Sequence, residues 1–306
     1  MKKCLGCGSV LQTTSKDELG YTPKLENDLC MRCFKLKHYG ALVSKGKTQD
    51  NQSIINKINH KKSFVLFITD FLNIYDEIIT TYKKIKNPKM LIITKSDLIP
   101  KNIKVNTLLN NIKDIYDIKE EMLLVSSNNK ENLRKLENIC LEKKDVLFAG
   151  FTNAGKSSLI NALVGSDITV SKTINTTQEF ISLHVTGVSL TDAPGFIANT
   201  YQSDVPSKTI RPLSYQLSNK YYLKIGNFNL ASAADNNLTL YLNNNIHVEK
   251  RRIKENLEYG MIIPSRHDLV IKGLGFITFS KITKIYIDID PEYYEIRPTI
   301  IGGYYE

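Results

Sequence analysis

One segment of the sequence has the residue types and spacing needed to hold the phosphates of a nucleotide. The run Gly150–Ser157 has the sequence G-F-T-N-A-G-K-S, which fits the pattern G-x-x-x-x-G-K-[S/T] without a gap. Glycines let backbone N–H groups turn toward phosphate oxygens, and the N-terminus of a following helix adds a favourable dipole. The residues of this loop predicted to bind nucleotide are Gly150, Asn153, Ala154, Gly155, Lys156, Ser157 and Ser158.

Two side chains of this phosphate loop have distinct chemical roles to fill. Lys156 is expected to reach the β- and γ-phosphates, and Ser157 is expected to ligate Mg²⁺. The apolar run Asp145–Ala149 predicts a buried strand before the loop, and Ser157–Leu163 predicts a helix after it. The order strand, loop, helix is the context that separates a phosphate loop from a chance glycine-rich turn.

A second pattern follows 35 residues after Ser157, where Asp192-Ala193-Pro194-Gly195 ends the short apolar run Val188–Thr191. An aspartate at a strand end holds Mg²⁺ through water, and a glycine three residues later senses the γ-phosphate. Between the two motifs, Thr177 is the threonine expected to close over Mg²⁺, although an ordinary polar loop is the alternative. The predicted catalytic residues are Lys156, Thr177, Asp192 and Gly195, and the predicted Mg²⁺ ligands are Ser157, Thr177 and Asp192.

A motif that can select a base lies upstream of the phosphate loop. Thr94-Lys95-Ser96-Asp97 follows the apolar run Met90–Ile93, which places it at the carboxyl end of a predicted strand, where open α/β sheets bind ligands. Asp97 can accept hydrogen bonds from guanine N1–H and N2–H₂, whereas adenine would leave this carboxylate buried and unpaired. Lys95 is expected to cover the base, and the hydroxyl of Thr94 is expected to bond the phosphate loop.

A second base loop is predicted further along the chain, after the apolar run Leu123–Val125. A backbone N–H of this loop is expected to meet guanine O6. The residues predicted to form it are Ser126, Ser127 and Asn128.

The order of these motifs differs from that of an ordinary small GTPase, in which the phosphate loop comes first. Here the base motif precedes it, and both motifs keep their flanking strands. The sequence therefore predicts a circularly permuted P-loop domain over 46–206, with a mostly parallel sheet and helices on both faces. One consequence is that the loop after Gly195 leads directly into the C-terminal region.

Phe196 follows Gly195 at the position where many GTPases carry a glutamine that orients the attacking water. Phenylalanine cannot hold water by hydrogen bonding. The sequence therefore predicts slow intrinsic hydrolysis.

Four cysteines near the N-terminus form two C-x-x-C pairs separated by 22 residues. Four thiolates suit a tetrahedral structural Zn²⁺. Disulfides are the alternative, but no signal peptide is recognised and the predicted P-loop chemistry is cytosolic. The sequence predicts a zinc module over 1–45 and a cytoplasmic location, with Cys140 as a small core residue. The predicted zinc ligands are Cys4, Cys7, Cys30 and Cys33.

The charge of the chain predicts an acidic partner. The 306 residues carry a formal net charge of +10, which a nucleotide site alone does not require. No apolar run is long enough to cross a bilayer, so no membrane partner is expected. A basic metal module suggests RNA, and a merely solvated basic surface is the alternative.

The C-terminal region, 207–306, predicts a β-rich α+β domain. Short runs such as Leu238–Leu242 and Lys284–Ile289 are typical of strands, and Asp268–Ile277 is typical of a hairpin. One helix is predicted over Val248–Tyr259. A basic cluster at its start could contact RNA phosphates or form a solvated helix face. The cluster consists of His247, Lys250, Arg251, Arg252 and Lys254.

Taken together, these motifs resemble the YqeH-type circularly permuted GTPases of bacteria, and the segments Asn243–His247 and Gly273–Phe276 are also similar to that family's tail. The resemblance implies a GTP-hydrolysing, K⁺-stimulated assembly factor that acts on the small ribosomal subunit or its precursor and contacts rRNA. It also implies that Asn153 is a catalytic residue that helps to coordinate K⁺, with a role only in the loop turn as the alternative. A GTP-sensing, RNA-binding scaffold with little turnover is the second functional hypothesis.

Overall fold

The computed structural model describes residues 2, 4, 10–15, 20–31, 50–165, 174–176, 180–185, 187–201 and 208–302. Three residues with predicted metal or catalytic roles, Cys7, Cys33 and Thr177, lie outside the described residues.

The part of the chain that carries the nucleotide motifs forms a seven-stranded sheet in the order β3-β2-β1-β4-β7-β6-β5. Strands β1 and β7 pair in parallel with β4, as β2 does with β3, whereas β6 is antiparallel to both β7 and β5. The predicted, mostly parallel α/β sheet is confirmed. Its strands are β1 (Phe64–Asp70), β2 (Lys89–Thr94), β3 (Met122–Leu124), β4 (Asp145–Gly150), β5 (Ile174–Thr176), β6 (Ile181–Val185) and β7 (Val188–Asp192).

The strands that carry the motifs are buried along almost their whole length. In β1, β2 and β4, every residue after the first is buried, as expected for parallel strands covered on both faces. The helices in this part of the chain are α1 (Asn51–Asn59), α2 (Asp76–Lys84), α3 (Val105–Tyr116), α4 (Leu133–Lys143) and α5 (Lys156–Gly165).

Helices α4 and α5 bury their apolar residues in the same core cluster as β1, β2 and β4. Cys140 of α4 belongs to this cluster, and burial raises the pKa of its thiol to about 12. This finding agrees with the prediction of a small core residue, because a thiol that keeps its proton is a poor nucleophile.

The C-terminal region forms two five-stranded antiparallel sheets that share one apolar core. The strand orders are β12-β9-β10-β16-β13 and β17-β14-β15-β11-β8. The predicted hairpin is present as β14 and β15. The strands are β8 (Leu213–Leu217), β9 (Tyr221–Ile225), β10 (Phe228–Ser232), β11 (Asn236–Leu242), β12 (Val248–Arg252), β13 (Met261–Ile263), β14 (His267–Ile271), β15 (Gly275–Phe279), β16 (Thr283–Ile287) and β17 (Tyr294–Pro298).

The prediction of a helix over Val248–Tyr259 is wrong. Residues Val248–Arg252 form the edge strand β12, which pairs with β9. The only helical element in 208–302 is the 3-10 turn Pro291–Tyr293. The region is therefore a β-sandwich rather than an α+β domain. A basic run suits an edge strand, because long charged side chains stay in water there and discourage pairing with another chain.

The chain divides into two compact units. The first comprises 1–69, 80–95 and 121–197, and the second comprises 70–79, 96–120 and 198–306. Within the second unit, Asn111 of α3 donates to the carbonyl oxygens of Ile300 and Gly302, and the rings of Phe71 and Phe276 lie 5.5 Å apart. The predicted division into 46–206 and 207–306 remains a prediction. No helix in the described residues is long and apolar enough to cross a membrane.

Candidate nucleotide-binding site

The phosphate loop begins where β4 ends, and its backbone requires two special positions. Gly150 pairs with Ile68 of β1, and a Cβ added at Gly150 would lie 2.4 Å from the carbonyl oxygen of Ile68. Gly155 has a φ of +88°, in the left-handed region that favours glycine. Both glycines of the motif are therefore needed for backbone reasons, before any nucleotide is considered.

Asn153 has a φ of +65°, and its side chain is exposed. Asparagine tolerates this left-handed conformation better than most other residues. Its carbonyl oxygen accepts a hydrogen bond of 2.8 Å from Nζ of Lys95. Asn153 thus has a role in the loop turn, and its role toward K⁺ remains a prediction.

The loop lysine is bound by the aspartate of the second motif. Lys156, the first residue of α5, donates from Nζ to Oδ1 of Asp192 and to the carbonyl oxygen of Ala193. Both charged side chains are only 10% exposed. Each charge offsets the other in a site from which water is largely excluded, so removal of either leaves an uncompensated buried charge.

The segment that starts at Asp192 is joined to the phosphate loop by main-chain hydrogen bonds. The N–H of Ala193 donates to Phe148, the N–H of Phe196 donates to Gly150, and the N–H of Thr152 donates to Phe196, at 2.9, 3.1 and 3.0 Å. These bonds fix the position of the phosphate loop relative to the segment after Asp192. A side chain at Gly195 would crowd Thr152, because an added Cβ there would lie 3.1 Å from its Cγ2.

The side chain of Phe196 is fully buried, with 0% of its surface exposed. Its ring lies 6.0 Å from that of Phe67 and 5.3 Å from that of Phe151. The side chain of Phe196 therefore packs in an aromatic core and does not orient a water molecule. This agrees with the inference from the sequence that this position carries no water-orienting group.

The hydroxyl of Thr94 lies between two carbonyl oxygens, those of Thr69 and Ala154. A hydroxyl carries one proton and can donate to only one of them at a time. The base motif therefore contacts the phosphate loop through Thr94 and Lys95, with fewer hydrogen bonds than an asparagine amide could make. Asp97 follows in the 3-10 turn Ser96–Leu98 and is half-buried.

Ser126 of the second base loop is buried and shapes the loop from within. Its Oγ accepts from the backbone N–H groups of Asn128 and Asn129, at 3.1 and 3.2 Å. Ser127 lies between Ser126 and Asn128, and contact of this loop with guanine remains a prediction.

Sequence reasoning did not identify Asn51, the first residue of α1. Its side-chain amide donates to the carbonyl oxygen of Ile197 at 2.7 Å and accepts from the N–H of Ile197 at 2.9 Å. These two bonds fix the segment just after Gly195 and Phe196. The partners are 146 positions apart, and no local pattern in the sequence signals the pair.

Cys4 and Cys30, one from each C-x-x-C pair, are both buried, and the backbone N–H of Cys30 donates to Sγ of Cys4 at 3.1 Å. The described residues contain no group of three or more potential metal ligands, and the other two cysteines lie outside them. The hydrogen bond brings the two halves of the predicted ligand set together.

The buried ion pair generates a stability prediction. In nucleotide-free protein, Lys156→Met should lower the free energy of unfolding by about 2–4 kcal/mol, because the buried carboxylate of Asp192 loses its ion pair with Lys156. Adding Asp192→Asn should restore part of this loss. Urea unfolding of the two single variants and the double variant measures the coupling. Strictly additive effects would show that the two side chains do not stabilise each other.

The position of Phe196 generates a second prediction. Phe196→Gln should not accelerate GTP hydrolysis, because the side chain points into the aromatic core. It should instead lower the free energy of unfolding by about 3 kcal/mol. Ile197→Gln, at the neighbouring exposed position, is the matched control for adding a glutamine to this segment. Faster turnover in the Phe196 variant than in wild type would contradict the structure.

Comparison with known proteins agrees with the motifs and the sheet. Residues 145–258 match the family described as 50S ribosome-binding GTPase. YqeH of Bacillus subtilis (strain 168) is 28% identical over 287 residues, covering 82% of this chain and 78% of that protein. The small ribosomal subunit biogenesis GTPase RsgA of Pectobacterium atrosepticum is 32% identical over 94 residues, covering 30% of this chain and 26% of its own length.

Among solved structures, YjeQ from Thermotoga maritima is similar, with a TM-score of 0.34 and 20% identity over 44% of this chain and 49% of that chain. The order of the motifs, the parallel sheet around β4 and the extent of the similarity to YqeH lead to one conclusion. The chain has the P-loop GTPase fold with its motifs in circularly permuted order, and it is similar to the YqeH-type circularly permuted GTPases.

Proposed function

We propose that the protein is a GTP-driven assembly factor for the small ribosomal subunit, acting in the bacterial cytoplasm. The observation that carries its nucleotide part is the main-chain ladder that holds the phosphate loop against the segment beginning at Asp192. The ribosomal part draws support from the relative named as a small ribosomal subunit biogenesis GTPase and from the net charge of +10.

In the proposed reaction, Lys156 exchanges one anionic partner for another. Its ammonium leaves the carboxylate of Asp192 and binds the β- and γ-phosphates. Asp192 would then hold Mg²⁺ together with the hydroxyl of Ser157 and with Thr177. A bound Mg²⁺ would neutralise charge on the phosphates. Asp97 accepts hydrogen bonds from the guanine edge.

Intrinsic turnover is proposed to be slow, because the residue after Gly195 is committed to the aromatic core. Charge at the transition state must then come from elsewhere. Asn153 and a K⁺ ion are proposed to supply it, in line with the exposed position of this side chain on the loop.

The C-terminal sandwich offers a surface suited to RNA on the outer face of the sheet β12-β9-β10-β16-β13. Strand register places Arg251, Tyr222, Ala231 and Tyr286 in one row across this face. The two tyrosines are half-buried and stand two strands apart, about 10 Å, with only an alanine between them. Lys284, two residues along β16 from Tyr286 of that row and therefore on the same face, is exposed.

Tyrosine rings can stack on bases, and the charged side chains of Arg251 and Lys284 can bind phosphates. The basic cluster was predicted to begin a helix. Its residues lie instead on or near β12, where neighbouring side chains point to opposite faces of the sheet. Arg251 lies on the outer face, whereas Nζ of Lys250 donates to the carbonyl oxygen of Gln216 and lies 4.7 Å from the ring centre of Tyr221. Only part of the cluster is therefore available to RNA on the outer face.

A structural Zn²⁺ held by the four N-terminal cysteines is also proposed. The buried sulfur of Cys4 and its hydrogen bond from Cys30 support it. The ion would stabilise a small module that has little apolar core of its own.

The test of the proposed function is turnover of GTP and ATP with and without purified small ribosomal subunits. We expect hydrolysis of GTP only, and at least about tenfold stimulation by particles. Arg251→Glu with Lys284→Glu should weaken particle binding about tenfold in 0.1 M salt. Arg134→Glu with Lys135→Glu, an equal charge change on exposed positions of α4, is the matched control.

Three outcomes would contradict different parts of this proposal. Equal turnover of ATP would overturn guanine selection. Equal weakening by the control pair would show that only net charge matters. Nucleotide binding without stimulated turnover would favour the second hypothesis, a GTP-sensing RNA-binding scaffold, which the buried position of Phe196 supports.

The two roles of Asn153 can be separated by substitution. Glycine adopts the left-handed backbone without strain, so Asn153→Gly should keep the loop turn and nucleotide affinity. If the side chain binds K⁺, the same variant should lose the higher turnover in K⁺ compared with Na⁺ buffer. Asn153→Ala should impair both properties. Full K⁺ stimulation in the glycine variant would leave the loop turn as the role of this residue.

A further inference from the structure

The segment 208–211, which leads into the C-terminal sandwich, contacts the 3-10 turn Ser96–Leu98 directly. This turn carries Asp97. Oγ1 of Thr209 donates to the carbonyl oxygen of Asp97 at 2.9 Å. The backbone N–H of Ile210 donates to the carbonyl oxygen of Leu98, also at 2.9 Å, and the side chain of Ile210 is only 2% exposed. Two successive carbonyl groups of the turn are therefore held by residues more than 100 positions later in the chain.

The same segment is held from its other side by Asn244, in the turn between β11 and β12. Its Oδ1 accepts from the N–H of Arg211 at 2.8 Å, and its Nδ2 donates to the carbonyl oxygen of Thr209 at 2.9 Å. The turn that carries Asn244 is itself closed, because the N–H of Ile246 donates to the carbonyl oxygen of Asn243 at 3.0 Å. A continuous series of hydrogen bonds thus joins the sandwich to Asp97.

This arrangement bears on how a carboxylate selects guanine. A binding side chain must be held within about 0.5 Å of its productive position by the residues around it. The backbone of Asp97 lies in a short 3-10 turn, in which the N–H of Ile99 donates to the carbonyl oxygen of Ser96 at 3.1 Å. Thr209 and Ile210 add two further bonds, and these bonds come from outside the turn.

We propose that Thr209 and Asn244 are positioning residues for guanine selection, which act by holding the turn that carries Asp97. This inference rests on the proposed binding of GTP. It assigns to the C-terminal sandwich a part in choosing the base, in addition to any contact with RNA. The permuted chain makes this possible, because the segment after Gly195 continues into residues 208–211.

The test compares the affinities of GDP and IDP, measured by displacement of a fluorescent guanine nucleotide. IDP lacks the N2 amino group, so the ratio of the two affinities reports how well Asp97 is aligned. Thr209→Val and Asn244→Ala should each weaken GDP binding about five- to tenfold and IDP binding about two- to threefold. The preference for GDP should therefore fall by about threefold in each variant.

Two controls make the comparison specific. Thr209→Ser keeps the hydroxyl and should retain the wild-type ratio of GDP to IDP affinity. Asn245→Ala removes the neighbouring exposed side chain, which makes no hydrogen bond to 208–211 among the described residues, and should leave both affinities unchanged.

The possible failures are distinguishable. Unchanged ratios in both Thr209→Val and Asn244→Ala would overturn the inference. So would an equal loss of GDP and IDP affinity accompanied by a lower melting temperature, because general loosening does not discriminate between bases. A wild-type protein that binds ADP as tightly as GDP would overturn the proposed function itself.

Discussion

The close approach of β4 to its two neighbours is the constraint on which the rest of the structure depends. Gly150 sits so near the carbonyl oxygen of Ile68 that no side chain fits, and on the other side the main chain continues to pair as far as Phe196. The phosphate loop is therefore formed by backbone hydrogen bonds on both flanks. The placement of Lys156 and Asp192 follows from this arrangement, because Lys156 begins the helix after the phosphate loop and Asp192 ends β7, the strand beside β4.

Charge compensation is the second feature that organises the site. Lys156 and Asp192 neutralise each other where little water can reach. The same pairing means that a phosphate group must compete with a carboxylate for the lysine. In the proposed reaction, binding of nucleotide is therefore linked to the carboxylate of Asp192 through the ammonium group of Lys156. The side chain of Phe196, which follows Gly195, is buried in an aromatic core.

The permutation changes which parts of the chain are packed together. Residues 70–79 and 96–120 belong to the same compact unit as the C-terminal sandwich, joined by contacts such as that of Asn111 with Ile300 and Gly302. The turn Ser96–Leu98 is part of this unit and is bonded to Thr209 and Ile210. The sandwich proposed to contact RNA is thereby connected by hydrogen bonds to the turn proposed to select guanine.

The sequence by itself determined the motifs, their order, the mostly parallel sheet and the hairpin after Asp268, because each depends on residues close together in the chain. It predicted a helix at Val248–Tyr259, where a charged run has no periodicity to distinguish helix from edge strand. Only the tertiary structure decided the contacts of Asn51 with Ile197 and of Thr209 with Asp97. Single polar side chains that bond backbone groups over 100 residues away leave no local pattern, so folding alone brings them together.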